Sequence, residues 1–111
     1  MAVAYTQRLG QGTATAPAFV TLFTATSSMD TVVRDVSLYN SSAAANRLYL
    51  FIETGGVFFP ILTGEVEARG TLRFSGRQRL QVGDSLVASC DGTSTIQAIA
   101  TGYQFFPPTP T

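Results

Sequence analysis

Seven carboxylates, seven arginines and a single cysteine carry most of the reactive chemistry of this 111-residue sequence, and histidine is absent. Without imidazole there is neither a serine–histidine relay nor a histidine metal site. The carboxylates are Asp30, Asp35, Glu53, Glu65, Glu67, Asp84 and Asp91. Most fall in turn-like stretches, where they are expected to be solvated or to stabilise the turn. Glu65 and Glu67 share a strand parity and, with Asp84, could offer oxygens to a hard cation, but their spacing departs from the ordered ligands of a calcium loop. Cys90, within SLVASC, rules out an intramolecular disulfide and a cysteine zinc site, and reads as a small buried hydrophobe. Gly10 and Gly12 neither follow a clear strand nor open a helix, so they form no phosphate cradle. The sequence therefore predicts no catalysis, no cofactor and no metal.

What remains is recognition. Arg69, Arg73, Arg77 and Arg79 place four of the seven arginines in one short stretch. They read either as a docking patch for an acidic partner surface or as the solvated face of a strand and its loops. No aromatic platform interleaves with them and the net charge is zero, so neither nucleic acid nor a membrane is an expected partner. There are twelve aromatic residues, more than a core of this size needs. Tyr49 and Phe51 stand opposite the face of Leu48, Leu50 and Ile52, which predicts an exposed protein–protein patch. The candidate partner-binding residues are thus Tyr49, Phe51, Arg69, Arg73, Arg77 and Arg79.

The elements that must position these residues are strands. Residues 31–52 read TVVRDVSLYN, SSAAA, NRLYLFI: two period-two runs with asparagine at each end of the connection, expected as a central β-hairpin. Residues 18–26 form a further strand. Thr54-Gly55-Gly56 signals a hairpin turn into VFFPIL, where Pro60 implies an edge strand or a bulge. Residues 63–70 read as a loop, 71–74 as a short strand, 75–79 as a turn, and Gly83-Asp84 as a tight turn into 85–90. Asp91-Gly92 is the clearest two-residue hairpin signal, and 94–105 is the last strand, with Gly102 marking a bulge or close contact. The expected core is Val36, Leu38, Leu48, Leu50, Ile52, Leu86 and Ile96.

No stretch has a helical period. The sequence predicts an all-β chain, a single antiparallel β-sandwich over residues 18–106. An N-terminal arm (1–17) has a short strand over 2–9 and a flexible connector after it, and pairs either with its own sheet or with a neighbouring subunit's. A proline-rich tail (107–111) is expected to be extended. Apolar residues make up 45% and charged residues only 13%. That is about half the usual charged share and favours a subunit that neighbours cover. The absence of a basic-then-apolar leader and of a long apolar run predicts assembly in a cytoplasm.

The ordered pieces VTLFTA, TVVRDVSLYN, LYLFI, TLRFSG, LQVGDSL and ATGYQF resemble a group of small all-β virion proteins of tailed bacteriophages. The more specific pieces are VSLYN, ending at Asn40, and LQVGDSL, from Leu80 to Leu86. VFFPIL and PPTPT are not explained by the resemblance. It implies a jelly-roll-like structural subunit, repeated in the virion as a capsid decoration (cement) protein or as a neck or tail component. The implied partners are other virion proteins and further copies of the chain, with assembly in the host cytoplasm and no catalytic residues. A carbohydrate-binding β-sandwich module is the rival reading. It is weakened by the absence of tryptophan.

Overall fold

Alternation of apolar and polar side chains, punctuated by glycine, asparagine and aspartate, divides the described residues into eight strands. The computed structural model describes residues 7–15, 19–26, 30–91 and 95–105, with no helix among them. In chain order the strands are β1 (Gln7–Thr15), β2 (Val20–Thr24), β3 (Asp30–Asn40), β4 (Asn46–Thr54), β5 (Val57–Val66), β6 (Thr71–Leu80), β7 (Ser85–Cys90) and β8 (Thr95–Phe105). They form two four-stranded antiparallel sheets, ordered β1-β8-β3-β6 and β2-β7-β4-β5.

The pairing is nested. β4 pairs with β5, β3 with β6, β2 with β7 and β1 with β8, as if one long double strand were folded back at the β4–β5 turn. Pairing of β3 with β8 and of β4 with β7 then joins these ribbons into the two sheets. An eight-stranded double sheet wound in this way is a jelly roll. The inward faces supply the core, and Val36, Leu38, Leu48, Leu50, Leu86 and Ile96 are fully buried, with Ile52 nearly so. Cys90 is buried in the same cluster.

Local chemistry explains the turn and the closed side. Gly55 and Gly56 have φ of 57° and 87°, the left-handed pair that a tight two-residue hairpin requires. Pro60 lies on β5, an edge strand, beside a register shift at Leu50/Phe51, so its missing N–H costs no central ladder bond. β1 and β2 approach so closely that a Cβ at Gly10 would sit 1.7 Å from the Leu22 carbonyl oxygen. At Gly102 a Cβ would lie 2.1 Å from the Val32 carbonyl oxygen, the close contact expected there.

Several expectations are corrected. Residues 31–52 are not a hairpin: β3 and β4 lie in different sheets, and the 41–45 connection arches between them. Their apolar faces meet across the core, whereas a hairpin would set them side by side. The hairpin expected at Asp91-Gly92 is likewise not formed, because β7 and β8, on either side of it, lie in different sheets. Asp91 is held to β4, where its N–H donates to the Arg47 carbonyl (3.0 Å) and its carbonyl accepts from Asn46 Nδ2. Residues 63–66 continue β5 and 75–79 continue β6, because an edge strand with a solvated outer face tolerates polar and charged side chains. The connector expected around Gly10 and Gly12 is β1, where absent side chains let the strand pass close to β2. The part of the expected 2–9 strand that precedes Gln7, and the 107–111 tail, lie outside the described residues.

The arch depends on Asn40, which is fully buried. Its Nδ2 donates to the carbonyls of Ala44 (2.9 Å), Val66 (3.2 Å) and Glu67 (3.2 Å). Its Oδ1 accepts from the Ser42 amide (3.1 Å) and hydroxyl (2.7 Å). One side chain thus ties the end of β3 to the end of β5 in the other sheet. Asn40→Ala is expected to destabilise by about 1–3 kcal/mol for each carbonyl that water fails to reach. Leu50→Ala, which empties a site in the middle of the core, is expected to cost about 2–5 kcal/mol. Chemical denaturation of both variants checks these values; a Leu50→Ala change within ~0.5 kcal/mol, typical of surface sites, would contradict the assigned faces.

Candidate functional site

The outward side of β4 carries Arg47, Tyr49, Phe51 and Glu53, alternating with inward Leu48, Leu50 and Ile52. Across the β4–β5 ladder Glu53 faces Phe58 and Phe51 faces Pro60, so Phe58 shares this outward side. Phe19, just before β2, completes a cluster of four rings. Phe19 stacks on Phe58 at 5.1 Å and contacts Phe51 at 5.9 Å; Phe51 meets Phe58 edge-on at 5.8 Å and stacks on Tyr49 at 5.7 Å. These separations fall in the range that aromatic pairs favour.

Part of this cluster is structural. β7 is buried along its whole length, including Val87 (3% exposed) and Ser89 (6%), which pair with Phe51 and Tyr49 on the outward side. The rings therefore form a thin second apolar layer over the middle of the sheet. They are not themselves covered: Phe19 is 54% exposed and Phe58 42%. Val57 and Phe59 are exposed too, but on the other side of β5, where they pair with Thr54 and Ile52.

Tyr49 is anchored at one end of the cluster by its phenol, which donates to Asp91 Oδ2 at 2.9 Å. The bond, some desolvation and the negative charge of Asp91 together hold the phenol above its ordinary pKa, with Arg47 opposing. Glu53 accepts from the Gly56 amide at 2.7 Å and closes the turn at the other end.

The arginines lie elsewhere. Arg73, Arg77 and Arg79 alternate with inward Leu72, Phe74, Gln78 and Leu80, and so line the outward side of β6, on the opposite sheet. Arg79 pairs with Asp30 at 3.0 Å, the only ion pair among the described residues. Asp35 accepts from Ser75 at 2.8 Å. Arg69 sits in the β5–β6 turn with φ of 63°, at one end of the sandwich and apart from the β6 row. The six residues singled out from sequence thus occupy two opposite faces and a turn. They do not converge on one site within the chain. Phe19 and Phe58 were not singled out, because only the fold brings Phe19 beside β4 and β5.

Although the net charge is zero, it is not evenly spread. The β1-β8-β3-β6 sheet carries Arg8, Arg34, Arg73, Arg77 and Arg79 against Asp30 and Asp35. The other sheet and its flanking turns carry Arg47 against Glu53, Glu65, Asp84 and Asp91; Glu67 and Arg69 share the β5–β6 turn. One face is basic, and the face bearing the aromatic cluster is acidic.

Glu65 and Glu67 lie at the Asn46 end of the sandwich and Asp84 at the opposite end, beside Thr54. No group of three or more His, Cys, Asp or Glu side chains among the described residues is arranged to hold a metal. A cleft of about 390 Å³ opens between the β5 and β6 edges, with an apolar floor of Ile52, Phe59 and Ile61 and a rim of Gln78, Arg79, Gln81 and Asp84.

No family model matches the chain, and no curated protein matches its sequence. Solved structures do resemble its fold. One is PirA, at a TM-score of 0.50 and 10% identity over 93% of this chain and 94% of that one. Another is a structure of infectious bursal disease virus, Gt strain, at a TM-score of 0.47 and 13% identity. It matches 94% of this chain but only 32% of the virus chain. At these identities the likeness concerns the fold alone.

The Tyr49–Asp91 bond supplies a test of the cluster's geometry. Asp91→Asn removes the negative charge and should bring one tyrosine titration down toward the usual value near 10. Because the folded-state phenol is raised, the bond's contribution is present below the ordinary tyrosine value and disappears as pH rises through the folded one. Ultraviolet phenolate absorbance during a pH titration checks both statements, and Tyr49→Phe should delete the same titration.

Proposed function

We propose that this chain is a non-enzymatic structural subunit of a tailed-bacteriophage virion, a decoration subunit that seats on the head shell and stabilises it. The observation that carries this reading is the aromatic cluster outside the β2-β7-β4-β5 sheet, anchored at both ends yet left about half exposed at Phe19 and Phe58. A patch of that kind is a liability for a protein alone in water and an asset for a subunit that neighbours complete. The low charged share supports the same reading, as do the ordered pieces from VTLFTA to ATGYQF. The jelly-roll winding is compatible with it, though lectins and cupins use the same winding. The partners in this reading are other virion proteins and copies of the chain, assembled in the host cytoplasm.

A density map of intact particles tests the proposal. Many copies spread over the head shell are expected; a single ring at the neck or tail would move the subunit within the particle, and absence from the particle would overturn the reading. Binding of the isolated protein to a glycan array without binding to particles would support a carbohydrate-binding module instead.

The N-terminal arm belongs to the proposal in a shortened form. Residues 7–15 pair with β8 and residues 1–6 lie outside the described residues, so in this proposal only residues 1–6 are assigned to contact with a neighbouring subunit. Deleting residues 1–6 is expected to leave the thermal transition of the isolated protein in place and to lower its occupancy on particles. Unchanged occupancy would remove the arm from the assembly.

A further inference from the structure

The two groups of candidate residues lie on opposite faces of one sandwich and therefore can meet only between two molecules. We propose that this chain self-associates face to back, the basic face of one copy packing on the aromatic, acidic face of the next. The inference stands whether or not the protein is a virion component, because it rests on the charge and chemistry of the two faces.

Three observations support it. Charge is segregated between the sheets although the molecule is neutral, so the faces attract each other and each repels its own kind. Arg73 and Arg77 have no ion-pair partner among the described residues, whereas Arg79 is held by Asp30. Guanidinium groups stack on exposed aromatic rings and fork onto carboxylates, and the opposite face offers both.

The aromatic face carries a carboxylate at each end of its ring cluster, Asp91 bonded to Tyr49 and Glu53 opposite Phe58, and Arg73 and Arg77 of the adjoining copy meet this acidic, aromatic surface.

Each molecule then uses different faces for its two neighbours, so association does not stop at a pair. It continues to a closed ring or an open stack, depending on the rotation between copies.

Complementation between two surface variants tests this arrangement. One variant carries Arg73→Glu with Arg77→Glu and keeps the aromatic face; the other carries Phe19→Ser with Phe58→Ser and keeps the basic face. Sedimentation velocity of the wild type at low salt should show mass rising with concentration, and added salt should reverse the rise. Each variant alone should remain at the monomer mass, and an equimolar mixture should stop at twice that mass. A monomeric wild type at low salt would overturn the proposal, as would an arginine variant that still self-associates or a mixture that stays monomeric. Thermal melts establish that each variant is folded. If the phenylalanine variant is not, Glu65→Arg, on the same outward side and exposed, replaces it in the mixture with the same expected outcomes.

Discussion

The carboxamide of Asn40 stands where β3 runs out of ladder partners and the chain must cross from one sheet to the other. The crossing itself is half-buried to exposed, but beside the buried Asn40 it leaves backbone carbonyls that neither sheet ladder satisfies, and leaving those bare would be costly. Asn40 answers with donors to three carbonyls and an acceptor for two Ser42 groups. Its own amide bonds to the Gly70 carbonyl at 2.9 Å, which fixes the end of β3 against the start of β6. From that point the register places Leu38 opposite Leu72 and Val36 opposite Phe74. A slip by one residue would turn this apolar row to water. The core and the outward residues therefore depend on one buried amide.

Much of the fold could be read from local signals, because those signals report local physics. The seven core positions followed from period-two alternation, the Gly55-Gly56 hairpin from the need for positive φ, and the edge position of β5 from Pro60. The arch at residues 41–45 and the crossing at Asp91 could not be read in this way. Asparagine and Asp-Gly favour a chain reversal, but nothing local specifies whether the reversed strand pairs with its predecessor or faces it across a core. Ser75, Gly76 and Arg77 resemble a turn by residue type, but on an edge strand the same residues extend the ladder of β6.

The candidate site shows the same limit. Tyr49 and Phe51 were identifiable as outward-facing because their neighbours Leu48, Leu50 and Ile52 claim the core. The arginines were identifiable as a row on β6. That the two sets lie back to back is a property of the jelly-roll winding, since β4 and β6 belong to different sheets. Exposure marks Tyr49 and Phe51, and clustering marks the arginines; topology places the two sets on different faces. The charge census is invisible for the same reason: seven positive and seven negative groups cancel until they are assigned to faces.

The nested pairing also constrains how the molecule is made. β1 is on the edge of its sheet and pairs only with β8, with Gln7 opposite Gly102. A ribosome adding roughly 5–20 residues per second completes β1 long before the strand that receives it exists. For a time on the order of 5–20 s, the emerging chain can close its inner ribbons, beginning with β4 and β5, but not its outermost one. During that interval the β8 side of β3 is an open strand edge, the kind of surface on which nascent chains stick to one another. β8, made after the other seven described strands, is thus the one that seals the first sheet, and a chain stalled before β8 would present the ribosome's surroundings with an unfinished edge.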